Sequence, residues 1–188
     1  YKFSPETHVL QSEVLYRLCY YDSALKSLEL LKKYYGSLTN SIQKLRRTHG
    51  NQNTLVGAIV NYARGEKGPT GEYPEKHWDI LMDGLMRSEV IAQVDKSLLQ
   101  IKEEEARVKS TGKDEGTYRQ ELEAARRESY RKGLAGAMFR LNQMERETQD
   151  ALEAALAVEV EVNTRIRDRL ITGKVARMRD IDFEAELR

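Results

Sequence analysis

The side chains that most often carry chemistry are few and scattered in this sequence of 188 residues. The three histidines, His8, His49 and His77, lie far apart, and none belongs to the His-Glu-x-x-His pattern that sets two zinc ligands on one helix face. The single cysteine, Cys19, excludes an intrachain disulfide and an all-cysteine metal site. Cys19 stands in an apolar helical pattern, which predicts a small buried side chain rather than a reactive thiol. The sequence therefore predicts no enzyme, no cofactor and no metal site.

A glycine-rich loop, GEKGPTG at 65–71, is the one stretch with the composition of a phosphate-binding loop. It lacks the Gly-Lys-Ser/Thr ending of such loops, and no strand precedes it to direct backbone amides at a phosphate. Three glycines and a proline in seven residues do prevent a helix. The loop therefore predicts a boundary between two parts of the chain.

Charge is abundant but balanced, with 31 basic and 30 acidic residues and a net charge of +1. Polyanion binders concentrate basic residues on one surface, whereas here both signs alternate within the same segments. This pattern predicts solvated helix faces with ion pairs and no nucleic-acid partner. The sequence also contains no run of about 18 apolar residues, so no membrane-spanning helix is expected.

Two short helices are predicted before residue 36. Ser4-Pro5-Glu6 is a helix-start signal, with a capping hydroxyl, a proline at the first helical position and a carboxylate near the positive helix end. A break is expected around Tyr20–Ser23, and Gly36 is expected to end the second helix in a left-handed cap. The apolar residues that recur at helical spacing in the first helix are Val9, Leu10, Val14, Leu15 and Leu18.

The spacing of small and large residues within this pair has a physical reason. Small side chains at Ser12 and Ala24 let two helix backbones approach closely, while Tyr21 and Leu28 fill the wedge beside them. With Leu15, Cys19 and Leu31, these positions resemble one tetratricopeptide (TPR) unit over Ser4–Gly36, without the glycine often found where Cys19 stands. Packing of a generic helical hairpin is the alternative explanation.

A degenerate second unit is predicted at 38–65. Leu55, Ala58 and Tyr62 follow the first unit by one 34-residue period, but Arg46 and His49 occupy positions that should be small and apolar. The expected inward residues of this helical pair are Ile42, Leu45, Leu55, Ile59 and Tyr62.

The resemblance to TPR proteins implies an adaptor that offers a groove to a partner peptide or helix. The sequence segment LYRLCYYDSAL…KKYYG is similar to segments of repeat proteins from the bacterial cell envelope, including those of motility and secretion machines. This similarity implies a location in the periplasm or cell envelope rather than in the cytoplasm. Tyrosines offer contact area and a hydrogen bond at low entropic cost, and arginines bind acidic partners. The candidate partner-binding residues in this part are Tyr16, Tyr20, Tyr35, Arg46 and Arg47.

Two long helices are predicted after the loop, one from Pro74 to about Val108 and one from Thr117 to about Leu170. The second carries a seam with strict three-four spacing, typical of a helix packed against another helix. Gly133 and Gly136 either permit a tight crossing or mark a bend. The seam consists of Leu134, Ala137, Leu141, Met144, Thr148, Ala151, Ala155, Val158 and Val162, and Leu134, Leu141, Ala151 and Val158 are its candidate partner-binding residues. The first of these two helices is too short to cover the whole seam, so other parts of the chain, another subunit or another protein should cover the remaining seam residues.

The predicted fold is all-α, with TPR-like helical hairpins followed by a long antiparallel helical or coiled-coil hairpin. Its parts are a repeat region at 1–65, a loop at 66–73, the long hairpin at 74–172 and a tail at 173–188. The predicted function is a non-enzymatic scaffold for other protein subunits within a larger assembly. The alternatives are a module that self-associates through the seam into a homo-oligomer or lies on a membrane surface, and, less favoured, a nucleic-acid binder or an enzyme.

Overall fold

The computed structural model describes residues 3–66, 72–74, 76–111 and 116–171, and every regular element in these ranges is an α-helix. This confirms the all-α fold class. The predicted tail at 173–188 lies outside the described residues, as do positions 67–71 of the glycine-rich loop. The helices are α1 (Pro5–Arg17), α2 (Tyr21–Tyr35), α3 (Leu38–Thr48), α4 (Gln52–Ala63), α5 (His77–Met86), α6 (Glu89–Thr111) and α7 (Gly116–Ile171).

Helix α7 is the element on which the other six pack. Its 56 residues correspond to about 84 Å at 1.5 Å per residue. Helix α6 runs antiparallel along its first half, α3, α4 and α5 contact its middle, and the α1–α2 hairpin contacts its last third. The predicted seam faces these helices, and its members from Ala137 to Val162 are all buried. Other parts of the same chain therefore cover what α6 is too short to reach.

Gly133 and Gly136 permit close helix crossings. A Cβ atom at Gly133 would lie 2.8 Å from a methyl carbon of Val56 on α4, and one at Gly136 would lie 2.7 Å from a methyl carbon of Val90 on α6. Helix α7 continues unbroken through both positions. Of the two predicted explanations, the structure supports the tight crossing.

The α1–α2 hairpin has the close approach that its small residues predicted. Ser12 and Ala24 are both fully buried, and the Ser12 hydroxyl donates a hydrogen bond of 3.1 Å to the Ala24 carbonyl oxygen. Tyr21 and Leu28 are buried beside this contact. The inward residues of α3 and α4 are also buried, with Tyr62 half-buried, but these two helices pack mainly on α5 and α7 rather than on each other.

The burial predicted for Cys19 is wrong. The residue is exposed and has a φ of 67°. The Tyr20 amide donates a hydrogen bond of 2.9 Å to the Leu15 carbonyl oxygen, and the Cys19 amide donates one to the Tyr16 carbonyl oxygen. These two bonds close α1 with a Schellman turn, in which glycine is the preferred left-handed residue. Because the helix has ended at this point, the Cys19 side chain no longer follows the buried face.

The left-handed cap predicted at Gly36 is also wrong, since this residue has a right-handed helical conformation, with φ of −57° and ψ of −31°. Glycine is required at position 36 because the Cβ atom of any other residue would clash with the carbonyl oxygen of Lys32. Gly65, by contrast, has a φ of 84° and closes α4 with the same Schellman pattern seen at Cys19.

The single helix predicted from Pro74 to Val108 is two helices. Helix α5 begins at His77, after Lys76 with a φ of 73°, and the chain breaks again at Arg87–Ser88 before α6. The break coincides with a step of six positions between consecutive members of the predicted apolar stripe, from Leu85 to Ile91, which helical spacing cannot bridge on one face. One large buried cluster draws residues from both sides of the predicted boundary at 66–73.

Candidate protein-interaction surfaces

The predicted tyrosines occupy three different environments. Tyr35 is buried, and its hydroxyl oxygen accepts a hydrogen bond of 3.1 Å from the Ser4 amide. Burial raises the pKa of Tyr35, which keeps the phenol neutral. Tyr16 is half-buried and accepts a hydrogen bond of 3.3 Å from Arg165 Nε, and Tyr20 is half-buried at the α1–α2 turn. Tyr35 therefore stabilises the N-terminal packing, while Tyr16 and Tyr20 remain near the surface.

The two predicted arginines also differ. Arg46 fixes α3 to α7, because its Nη1 atom lies 2.8 Å from Glu145 Oε2 and its Nη2 atom donates to Asn142 Oδ1 at 2.6 Å. Arg47 is exposed in the last turn of α3. Arg46 thus has an intrachain contact, and its binding to an acidic partner stays a prediction.

The four seam residues named as partner-binding candidates are enclosed by this chain. Leu141, Ala151 and Val158 are buried, and Leu134 is half-buried between the two apolar clusters. The physical reason is that α1 to α5 fold back onto α7 and take the positions that a separate partner would occupy. Partner binding at these side chains stays a prediction, and it would require those helices to separate from α7.

An exposed row on α1 was not identified from the sequence. Leu10, Val14 and Leu18 are 61%, 57% and 59% exposed, and at a spacing of four they follow one side of the helix. This side lies opposite Val9 and Ser12, which are buried. Of the five apolar residues that recur at helical spacing on α1, Leu10, Val14 and Leu18 therefore face outward. The sequence does indicate a second apolar face, because the five apolar residues within positions 9–18 are too many for one face of a helix.

A second exposed row lies on α7. Leu156 and Val160 are exposed, and Leu152, one turn before them, is half-buried. We call Leu152, Leu156 and Val160 the α7 row. It is offset from the buried seam, so α7 presents one apolar face to its own chain and a second to the surface. Phe139, also on α7, is 65% exposed beside Val90 in a shallow cleft that Arg87 and Arg140 flank.

Two arginines near the C-terminal end of α7 contact tyrosines of α1 and α2. Arg165 contacts Tyr16, and the guanidinium of Arg169 lies 4.7 Å from the centroid of the Tyr21 ring. The Tyr21 hydroxyl, followed by Arg169 and Arg165, lowers the pKa of the nearby Cys19 thiol. The C-terminal turn of α7 and the α1–α2 turn therefore lie together.

His77 links three helices inside the core. It is buried, and its Nδ1 atom lies 2.8 Å from the Ser41 hydroxyl oxygen of α3. Burial lowers the pKa of His77, while a hydrogen bond to the backbone of Tyr34 acts in the opposite direction. Neutral His77 therefore acts as a structural hydrogen-bonding group, and His8, whose pKa burial also lowers, is half-buried on α1.

Within the described ranges, no three His, Cys, Asp or Glu residues are grouped closely enough to hold a metal ion. The helices of those ranges include none that is both long and apolar enough to cross a membrane. No family model, curated protein or solved structure matches this chain. The TPR resemblance accordingly stays a prediction that rests on the residues of the α1–α2 hairpin.

Proposed function

We propose that this chain is a non-enzymatic scaffold that binds other protein subunits within a larger assembly. The observation that supports this proposal most directly is the α7 row, because Leu156 and Val160 are exposed in helical register on the helix that holds the fold together. Isolated exposed apolar residues are common on soluble proteins, whereas a row on one helix face is the form that helix-in-groove recognition uses.

The position of the row suits a scaffold. Helix α7 is fixed along its length by packing and by ion pairs such as Lys32 Nζ–Glu159 Oε2, at 2.6 Å. A partner on the α7 row would therefore be held at a defined distance from anything bound at the start of α6, which packs on Gly136, about 30 Å from Leu156 along the helix axis at 1.5 Å per residue. The TPR-like hairpin is consistent with the same adaptor class.

The alternative, self-association through the seam, is less well supported. A second copy could reach Leu141 or Ala151 only after α1 to α5 had left α7, and that would expose most of the apolar core. The α7 row needs no such opening, so we assign partner contact to this row.

A site-specific crosslinking experiment tests the proposal. A photoreactive amino acid replaces Val160 in the full-length protein, expressed in the cells that normally produce it. We expect one recurrent protein to be crosslinked at this position. The same amino acid at Glu161, an exposed polar neighbour on another side of α7, is the matched control and should yield little of that adduct. Equal labelling at both positions, or none at either, would contradict the proposal.

A further inference from the structure

Helix α7 carries a second line of residues at three-four spacing, on the side away from its buried seam. Glu153, Leu156, Val160, Asn163 and Arg167 follow one another at the spacing of a helix that packs along another helix. All five residues are exposed, and Leu156 and Val160 are 53% and 64% exposed. We call these five residues the outer seam. It is about 21 Å long at 1.5 Å per residue, and its exposure leaves it available to a partner helix.

The outer seam has opposite charges at its two ends. The Glu153 carboxylate lies at one end, the Arg167 guanidinium lies at the other, and the two apolar side chains lie between them. Arg167 keeps 67% of its side chain exposed, although its Nη2 atom lies 3.4 Å from Oδ1 of the next residue, Asp168. A line that is acidic at one end and basic at the other is complementary to a copy of itself that runs in the opposite direction.

The spacing within the outer seam also suits a two-fold axis. Val160 lies seven positions after Glu153 and seven positions before Arg167. An axis beside Val160 therefore places Glu153 of each copy opposite Arg167 of the other, and the apolar side chains of both copies meet in the middle. A parallel arrangement would instead set Glu153 against Glu153 and Arg167 against Arg167, and like charges in contact are destabilising.

We propose that two copies of this chain dimerise through the outer seam, with their α7 helices antiparallel. The inference rests on the proposed function, because it identifies the partner at the α7 row as a second copy of the chain. The order of charges along the outer seam is what favours a copy over an unrelated helix. Two-fold symmetry then presents every other surface of the scaffold twice. Five residues on each side are far fewer than the roughly 20–30 of a standard interface, so the dimer should dissociate on dilution.

Charge reversal tests both the partner and the direction of the helices. The dimer dissociation constant of the whole chain is measured by analytical ultracentrifugation over a concentration series. Glu153→Lys alone sets two positive groups opposite each other, and Arg167→Glu alone sets two negative groups opposite each other. Each single variant should therefore dimerise about tenfold more weakly than wild type.

Two further samples should restore the wild-type affinity. The double variant Glu153→Lys, Arg167→Glu again has opposite charges at both contacts of an antiparallel dimer. An equimolar mixture of the two single variants should form a mixed dimer, because only that pairing brings opposite charges together at both contacts. Glu161→Lys is the matched control, since it makes the same charge change at an exposed position outside the outer seam, and it should leave the affinity unchanged.

Three results would overturn the inference. The first is a wild-type chain that stays monomeric up to about 1 mM, and the second is a pair of single variants that dimerise as wild type does. The third is a double variant or a mixture that fails to restore the affinity. The proposed function fails separately, when the photoreactive group at Val160 captures no recurrent protein. A Val160 adduct with a different protein, together with a monomeric purified chain, would support the scaffold and overturn only the dimer.

Discussion

Cys19 holds the left-handed position of a Schellman turn that glycine usually occupies. An L residue in this conformation is disfavoured by about 1–2 kcal/mol, while the exposed Cys19 side chain adds little packing in return. The same pattern occurs at Gly65, where glycine is already present. The residue that departs from the TPR-like pattern is therefore a point of local strain.

We expect Cys19→Gly to raise the free energy of unfolding by about 1 kcal/mol, measured by urea denaturation. Gly65→Ala is the matched control and should lower it by a similar amount, because nothing lies within 4 Å of the added Cβ atom and only the backbone conformation is affected. A loss of stability in Cys19→Gly would show that the thiol contributes a contact that outweighs the backbone strain.

The buried His77 predicts how stability depends on pH. Its folded pKa is lowered, so between that value and the unfolded value near 6.5 the unfolded chain binds more protons. Stability should be full above about pH 6.5 and fall as the pH drops, with a slope of at most about 1.4 kcal/mol per pH unit from this residue.

Denaturation at a series of pH values in wild type and in His77→Gln tests this expectation. Below pH 6.5 the free energy of unfolding should depend less steeply on pH in the variant than in wild type. The slope that remains in the variant should include the contribution of His8, whose pKa is also lowered by burial. Ser41→Ala keeps the histidine while removing its hydrogen-bond partner, and it should retain a slope. A slope unchanged in His77→Gln would contradict the assignment.

At the scale of elements, the sequence predicted helices and buried seams far better than the contacts between them. The strict three-four spacing of α7 identified its buried face because that spacing is local. The break at Arg87–Ser88 was missed because Leu85 and Ile91 were joined into one stripe across a step of six positions. The outward direction of the α1 row could not be predicted, because periodicity alone cannot select which of two apolar faces a distant helix covers.

The crossing of α6 and α7 at Gly136 yields a prediction in which two effects oppose each other. Alanine is favoured over glycine in a helix by about 1 kcal/mol, but its Cβ atom would lie 2.7 Å from Val90 Cγ1 and 3.0 Å from Val90 Cβ. Overpacking of this kind typically destabilises by about 1–3 kcal/mol. Gly136→Ala should therefore destabilise the protein.

A double-mutant cycle shows which effect dominates. In a Val90→Ala background the obstructing methyl groups are gone, so Gly136→Ala should become stabilising by up to about 1 kcal/mol. Thermal or urea unfolding of the four proteins measures the change of sign. Stabilisation by Gly136→Ala in both backgrounds would contradict the close crossing of α6 and α7.

For the whole molecule, the seam that looked available for a partner is covered by the chain's own first five helices. This distribution could not be predicted from sequence, because it depends on where α1 to α5 fold back along a helix of 56 residues. Among the described residues, the apolar side chains left exposed include those of the α1 row and Leu156 and Val160 of the α7 row. The scaffold proposal consequently concerns the α7 row, which the sequence did not mark as partner-binding.

The most direct test is the mass of the native complex, measured by light scattering after size-exclusion chromatography of mildly crosslinked protein from the producing cells. Leu156→Glu with Val160→Glu places two carboxylates on the α7 row without touching buried residues. We expect a complex heavier than the 21.7 kDa chain in wild type and its loss in the double variant, with the thermal unfolding midpoint unchanged. A monomer in both cases, or a complex that survives in the variant, would contradict it.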